Sequence, residues 1–552
     1  MNRRATLGVL LLTPSPPATV KPERDEHGDR RRRTGRHHRD SGGGAGGSTG
    51  TTDTIDPKYK PLVDAILAEK AELGAPGVAV AVIEDGKITF TQGFGTRDPS
   101  KDDPVAPTTL FRTGSVNKML TAVAMLQQVA AGKVSLGEPV TTYVPDFKFA
   151  VDASWAETIL GQHLLTHSSG MFDYLVINAP ASQKTDAALE TFMTGTFGSK
   201  DFLMNPAGAF WNYSNPNYYM AGLVAEKASG KPYRQLMKED VFTPLGMDRT
   251  YFLGSEVLED GDYALGETAY PMVANPVLPD TYDNAWARPA GYATSNVLDL
   301  AKFAQFLLDG NEAVLPDALL QDMKSAQIDT QVFLDLVGYG YGLFANKGAY
   351  LGDSGFYSIP IVSHGGDIPG FAADLAIVPS LHFGFISMAN ADGAHFTKSL
   401  VTALTTLNTL PSPGTPPDTT VDPATFGQYE GTYQDDYNVG EIVVTKVGDD
   451  LEISMPAVDA ANIPYDKVLV PVVGANFALK IQGTQLAITF IPDETGVMRY
   501  FRTRVFVGTR PLAPPPPPGP ALEGSARDAF LAALRLSRPP IAEQLLTPPS
   551  AR

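Results

Sequence analysis

From 62 to 73 the apolar residues fall at helical spacing, and Val78-Ala79-Val80-Ala81-Val82-Ile83 follows as an unbroken apolar run of strand length. Glu84-Asp85-Gly86-Lys87 carries turn chemistry and Ile88-Thr89-Phe90-Thr91 returns the chain, so the pattern predicts a β-hairpin. A helix-rich stretch spans about 115–325. Its clearest member runs from Ser115 to about Ala131, with Gly132 and Lys133 as stop signals. Strands return at 373–378 and 383–388, on either side of the turn Pro379-Ser380-Leu381-His382, and a helical pattern over 394–408 closes the unit. Strands at both ends with helices between predict an α+β fold, in which one antiparallel sheet is flanked by helices.

The texture then changes. Pro411-Ser412-Pro413-Gly414-Thr415-Pro416-Pro417 marks a linker. Beyond it, runs such as Ile442-Val443-Val444-Thr445 and Leu486-Ala487-Ile488-Thr489-Phe490-Ile491 are separated by Gly, Asp and Asn, which predicts a small all-β barrel or sandwich. Pro514 to Pro518 form a stiff polyproline spacer. The amphipathic stretch Ala529 to Leu534 after it reads as a frayed tail helix unless something docks it. At the other end, Gly42-Gly43-Gly44-Ala45-Gly46-Gly47-Ser48 has the composition of a flexible linker, and residues 1–54 read as a disordered arm. Arg3-Arg4 followed by Leu7 to Leu12 looks like the start of a signal peptide, cut short by Pro14-Ser15-Pro16-Pro17. The expected divisions are 1–54, 55–410, 411–422, 423–510 and 511–552.

Composition narrows the function classes. The chain has 552 residues, a net charge of −18 and no cysteine. Ten Lys and Arg against five Asp and Glu in the first fifty residues leave the remainder more acidic still. An acidic body repels phosphates, so no nucleic-acid partner is expected; the Arg30 to Arg39 cluster reads as a solvated arm. Without cysteine there are no disulfides, thiol nucleophiles or Cys-ligated zinc. No apolar run is long enough for a transmembrane span. No His-Glu-x-x-His or similar ligand cluster occurs, so neither metal nor cofactor is expected.

Three short elements carry candidate chemistry. Ser115 and Lys118 stand three apart at a predicted helix start and so share a face. There the free N–H groups and the helix dipole favour developing negative charge. A serine needs a base to become a nucleophile, and a lysine serves if burial lowers its pKa. Taken alone, the pair is also what a helix start with a surface lysine looks like. In Trp211-Asn212-Tyr213-Ser214-Asn215, Tyr213 can relay a proton, and the Asn215 amide can hold Lys118 or a substrate amide. In Ser363-His364-Gly365-Gly366-Asp367, the glycines allow close approach to a strand edge. The N–H groups of Ser115 and Asp367 would form an oxyanion hole, and His364 would place a polar or cationic group near Tyr213. Two rival signals are weaker. Gly46-Gly47-Ser48-Thr49-Gly50 fits a Gly-x-Ser-x-Gly elbow but lies in the flexible arm, and Gly352-Asp353-Ser354-Gly355 lacks a matching histidine context.

The order Ser-x-x-Lys, Tyr-x-Asn, His-x-Gly, at separations of about 95 and about 150 residues, resembles the serine β-lactamase and penicillin-binding superfamily. The Tyr-x-Asn form is similar to class C β-lactamases, D-alanyl-D-alanine carboxypeptidases and their esterase and D-aminopeptidase relatives. Leu164-Leu165-Thr166-His167-Ser168-Ser169-Gly170, Pro244-Leu245-Gly246-Met247, Gly338-Tyr339-Gly340-Tyr341-Gly342 and Pro369-Gly370-Phe371 resemble the family too, with His167 expected to be structural. The resemblance implies a β-lactamase-like fold with an all-helical subdomain. It implies Ser115 as nucleophile, Lys118 as its base, Tyr213 as a second acid/base, and Asn215, His364, Gly365, Gly366 and Asp367 as substrate-binding. His364 and Gly365 stand where lactamases usually carry Lys and Thr, which turns the expectation away from strong β-lactam hydrolysis. Residues 423–508, entered through Tyr429-Glu430-Gly431-Thr432-Tyr433, resemble the lipocalin-like barrel of some relatives. The expected activity is acyl transfer through Ser115 with a small-molecule or peptide substrate: an ester, an amide or a D-amino-acid peptide. β-Lactam hydrolysis and a non-catalytic peptidoglycan or peptide sensor are the alternatives. A periplasmic or secreted location is expected mainly through the resemblance, with the cytoplasm as alternative, and the oligomeric state is left open.

Overall fold

A computed structural model describes residues 55–173, 183–270, 273–281 and 283–511, together with 530–531, 534 and 541–546. The expected N-terminal arm, the signal-like segment and the polyproline spacer lie outside the described residues.

An antiparallel sheet of eight strands organises the first domain. In chain order its strands are β1 (Gly77–Glu84), β2 (Lys87–Gly95), β3 (Ile328–Asp329), β4 (Val337–Tyr339), β5 (Phe344–Asn346), β6 (Ile361–Ile368), β7 (Phe371–Val378) and β8 (Phe383–Ala389). Their order across the sheet is β2-β1-β8-β7-β6-β5-β4-β3, so the two chain ends meet at the β1–β8 pair, with Val80 opposite Ser387. The β1–β2 hairpin turns at Asp85 and Gly86, both at positive φ (49° and 72°), the geometry that Asp-Gly favours in a two-residue loop.

The apolar run of β1 does not alternate with polar residues because both of its faces are covered. Val78, Val80 and Val82 pack against α1 (Lys60–Leu73) and the C-terminal helix Thr397–Leu407. Ala79, Ala81 and Ile83 face a larger core built on α2 (Asn117–Ala130), α3 (Pro216–Ser229) and α4 (Val297–Asp309). The helix expected from Ser115 is split at its start. Gly114–Val116 forms a 3-10 turn and the α-helix begins at Asn117, so Ser115 sits on the tighter turn ahead of it.

After the linker, eight strands close into an antiparallel barrel, choosing barrel over sandwich. They are β9 (Gly431–Asp435), β10 (Gly440–Val447), β11 (Asp450–Ser454), β12 (Val468–Val473), β13 (Asn476–Ile481), β14 (Thr484–Pro492), β15 (Met498–Arg502) and β16 (Val507–Thr509). Closure runs through Gln434 opposite Thr509. The barrel docks on the first domain through an apolar seam in which Ile491 and Val507 meet Phe172, Met204 and Phe210.

The C-terminal segment corrects the expectation of a frayed tail. Phe530 and Leu534 are buried with the barrel core, at the four-residue spacing that puts both on one helical face. Ile541–Gln544 forms a helical turn against the first domain, where Asn346 Nδ2 donates to Ala542 O (2.9 Å) and Tyr350 N to Leu545 O (2.9 Å). Among the described residues no helix is long and apolar enough to cross a membrane.

Candidate active site

The turn at Gly114–Val116 and the first turn of α2 place Ser115 and Lys118 on one side, with Lys118 Nζ 2.9 Å from Ser115 Oγ. Two further partners surround the amine: Asn215 Oδ1 at 2.7 Å and the carbonyl oxygen of Ala290 at 2.8 Å. Both only accept. A neutral amine has two N–H donors, which these acceptors take up, and its lone pair is left for the Ser115 hydroxyl. Lys118 is fully buried, and burial pushes its pKa well below the usual lysine value; Asp173 opposes that shift and Arg504 adds to it. The lysine is therefore biased toward the form that can accept a proton.

Tyr213 and Asn215 come from the segment leading into α3. The chain is fixed there by His167, whose carbonyl accepts from Asn212 N (2.8 Å) and whose Nδ1 accepts from Ser214 N (3.2 Å). The imidazole also lies against the Tyr213 ring, with centroids 4.2 Å apart. Burial, with the Lys118 charge second, drives its pKa well down, so His167 is a neutral packing and hydrogen-bonding residue, as expected for a structural histidine. Tyr213 and Ser115 line the same cavity, and Lys118 Nζ lies 5.0 Å from the Tyr213 ring centroid. Burial raises the phenol's pKa, which keeps it a proton donor. Of the two, Lys118 is the group whose shift favours accepting a proton.

β6 crosses directly over the Ser115 turn. A Cβ added at Gly366 would overlap the Thr113 carbonyl oxygen and stand 2.9 Å from Ser115 N; one added at Gly114, which has φ +50°, would stand 2.7 Å from Asp367 N. Glycine at both positions thus brings the Ser115 and Asp367 amides side by side. Gly365 faces the other way, toward Asp374 and His395. Because β5 pairs only with Ile361–Ser363 of β6, the edge of β6 beyond Ser363 is left unpaired by that strand.

His364 departs from the cationic role considered for it. It is buried, with Nδ1 2.6 Å from Gly365 O and Nε2 3.2 Å from the Tyr339 hydroxyl. Burial first, and the Lys118 charge second, push its pKa down to about 3, so it is a neutral ring 6.1 Å from that of Tyr213. The rival Gly352 to Gly355 stretch is a 3-10 turn between the short strands Ala349–Tyr350 and Phe356–Tyr357, and the Gly46 to Gly50 elbow lies outside the described residues.

Three functional residues escaped the sequence pattern. Asp173, fully buried, accepts from Asn215 N (3.0 Å) and Nδ2 (3.1 Å). Arg504 of the barrel donates from Nε to Asp173 Oδ2 (2.9 Å). His395 bridges Asp374 (Nδ1–Oδ1, 2.6 Å) and Asp367 (Nε2–Oδ2, 2.8 Å); burial opposes its charge, but the two carboxylates outweigh it and raise its pKa well above the usual value. Arg504 and His395, together with Tyr219, Trp286 and Phe344, and with Phe477 and Ala487 of the barrel, line a cavity of about 630 Å³ that holds Ser115.

Comparison with known proteins gives the family and the fold. The family model described as Beta-lactamase matches residues 62–405, and the chain belongs to that family. Protein flp of Staphylococcus aureus (strain MW2) is 25% identical over 340 residues, 61% of this chain and 64% of its own length. An unguisins hydrolase of Aspergillus campestris is 29% identical over 357 residues, 62% of this chain and 63% of its own. The chain thus spans just under two thirds of the length of these curated relatives. Among solved structures, SurE superposes with a TM-score of 0.60 at 20% identity, covering 82% of this chain and 99% of SurE. The octameric penicillin-binding protein homologue of Pyrococcus abyssi does so with a TM-score of 0.53 at 23% identity, covering 80% and 98%. Both share the fold.

Proposed function

We propose that this chain is a serine hydrolase that acylates itself on Ser115, with esters, amides or D-amino-acid peptides as substrates. The observation that carries the reading is the Lys118 amine, buried between two obligate acceptors with its remaining direction on the Ser115 hydroxyl. Lys118 takes the hydroxyl proton as Oγ bonds to the substrate carbonyl carbon. The carbonyl oxygen, now negative, is stabilised by the Ser115 and Asp367 amides. The proton passes by way of the Tyr213 hydroxyl to the leaving group as its bond breaks, and water then releases the acyl group by the same steps in reverse. The relative named as an unguisins hydrolase supports hydrolysis as the outcome. The neutral His364 and the bare Gly365 leave no lysine ammonium or threonine hydroxyl on this strand for a β-lactam carboxylate, which argues for esters and amides over antibiotics. Export to the periplasm or the medium belongs to the same proposal, mainly through the family resemblance, with the Arg3-Arg4 and Leu7 to Leu12 pattern beside it.

A fluorophosphonate probe tests the chemistry. Wild type labels at Ser115 and Ser115→Ala does not; equal labelling of the two refutes the nucleophile. Turnover of p-nitrophenyl esters, D-amino-acid amides and nitrocefin then ranks the substrate classes. Labelling without any turnover would favour the sensor reading.

A further inference from the structure

The cation beside this site comes from the barrel. Arg504 lies on the turn between β15 and β16, far in sequence from the catalytic motifs. That turn is built to hold its shape: Thr503 Oγ1 accepts from Val505 N (3.2 Å) and Phe506 N (2.9 Å) and donates to Phe506 O (2.8 Å). It is also tied to the segment that carries Tyr213. Asn212 Nδ2 donates to Thr503 O (3.1 Å), and Arg502 Nη1 to Trp211 O (2.7 Å) and Thr330 O (2.8 Å).

From Arg504 an unbroken chain of contacts reaches the nucleophile. Its guanidinium grips Asp173 Oδ2 through Nε and Nη2, and its Cζ lies 4.7 Å from the Tyr213 ring centroid. Asp173 Oδ1 accepts from Asn215 Nδ2, which fixes the amide so that Asn215 Oδ1 faces Lys118 Nζ. Asp173 is a buried carboxylate close to the lysine. Unpaired, it would favour the lysine cation and so disable the base. The other groups around Lys118 do not replace the arginine. His167 and His364 are held neutral by burial, and Tyr213 and Tyr218 are held as phenols by burial. Around Arg504 the remaining charged group is Asp367, itself paired with His395, and beside Asp173 the remaining carboxyl is Asp201, whose pKa burial raises well above the usual value.

We propose that Arg504 is a positioning residue of the acyl-transfer site, supplied by the barrel: it neutralises Asp173 so that Lys118 stays uncharged for Ser115, and it fixes the Asn215 amide and the Tyr213 ring. The proposal rests on the reading of Ser115 and Lys118 given above.

The pH profile of the fluorophosphonate labelling rate, measured on the full chain, tests it. Neutral Lys118 is the active form, so the rate climbs with pH through the lysine's pKa. In Arg504→Met the Asp173 carboxylate is left facing the lysine, and the acid limb moves up by about one pH unit or more. Asp173→Asn, which keeps an oxygen for Asn215, moves it down. The double variant returns it to near the wild-type position, and Arg504→Lys, which keeps the charge, leaves it near wild type. An unmoved limb in Arg504→Met, or a double variant displaced as far as Arg504→Met, overturns the proposal. If Arg504→Met does not fold, Asp173→Asn and Arg504→Lys still decide: a limb that rises in either refutes the charge argument. Wild type that labels at Ser115 while these limbs fail to move sinks only this proposal; wild type that does not label sinks the acyl-transfer reading and this with it.

Discussion

Two adjacent glycines on β6 should answer to alanine in opposite ways. At Gly366 the new methyl would overlap the Thr113 carbonyl and press on Ser115 N at 2.9 Å, and both neighbours are backbone. Neither can swing aside, so the strand or the nucleophile turn must retreat by on the order of 1 Å, and a displacement of that size alone costs about a hundredfold in rate. The displaced amides belong to Ser115 and Asp367, the donors of the proposed oxyanion hole, and loss of one such donor costs about 10²–10³ in kcat, or about 2.7–4 kcal/mol. At Gly365 the same methyl meets Asp374 Oδ1 and His395 Cε1 at 3.4 Å each, an ordinary contact distance. We therefore expect Gly366→Ala to lower the fluorophosphonate labelling rate by at least about a hundredfold. We expect Gly365→Ala to stay within about threefold of wild type, its contacts being those of a tolerated small residue. Labelling rate and melting temperature, read together, separate a displaced site from a lost fold: overpacking at Gly366 costs about 1–3 kcal/mol of stability, too little to unfold a domain of this core size. Similar losses in the two variants, or a near-native rate in Gly366→Ala, would refute the placement of β6 against the Ser115 turn.

Further outcomes follow from the other groups. Lys118→Met should slow acylation by about 10²–10⁴ while circular dichroism stays native, and a near-native rate would remove Lys118 as base. His395 is held charged by Asp374 and Asp367, so its folded pKa lies above its unfolded one. Its stabilisation is complete below the unfolded value near about 6.5 and is lost as pH rises through the folded value. Melting temperature in wild type should therefore fall on the alkaline side with a slope that His395→Gln lacks; parallel curves would show that the bridge is not ionic. Phe530→Ala should lower barrel stability by about 3–5 kcal/mol, read as a shifted denaturant midpoint, whereas a frayed tail would give no shift.

What was legible in the sequence was local. The β1–β2 hairpin could be read because an apolar run, an Asp-Gly turn and a return strand are contiguous. The Ser115–Lys118 pair could be read because a three-residue spacing fixes a helix face. His364 was readable as a position but not as a charge. Its protonation depends on burial beneath Tyr339 and Phe344, which come from β4 and β5. Arg504 left no signal at all. It sits in an ordinary strand-end turn, and its meaning depends on a partner 331 residues earlier in the chain. The tail was misjudged for the same reason: its short amphipathic pattern gave a helix but not its docking, because the apolar walls that bury Phe530, Leu534 and Ile541 belong to two other domains.

Those non-local contacts explain how a lysine can be a base in so acidic a chain. The net charge of −18 would by itself favour every lysine cation, and Asp173 stands in the second ring of contacts around Lys118. Complete burial opposes this, because taking an ammonium out of water costs more than a diffuse negative field returns. A buried carboxylate nearby would reverse that balance, since its attraction is not diluted by water. The barrel arginine restores it by pairing with Asp173 and leaving the lysine's surroundings close to neutral. Desolvation then dominates at Lys118, but only while the barrel is docked. A catalytic domain expressed without residues 423–510 would retain Ser115 and Lys118 in sequence and lose the charge balance that lets the pair react.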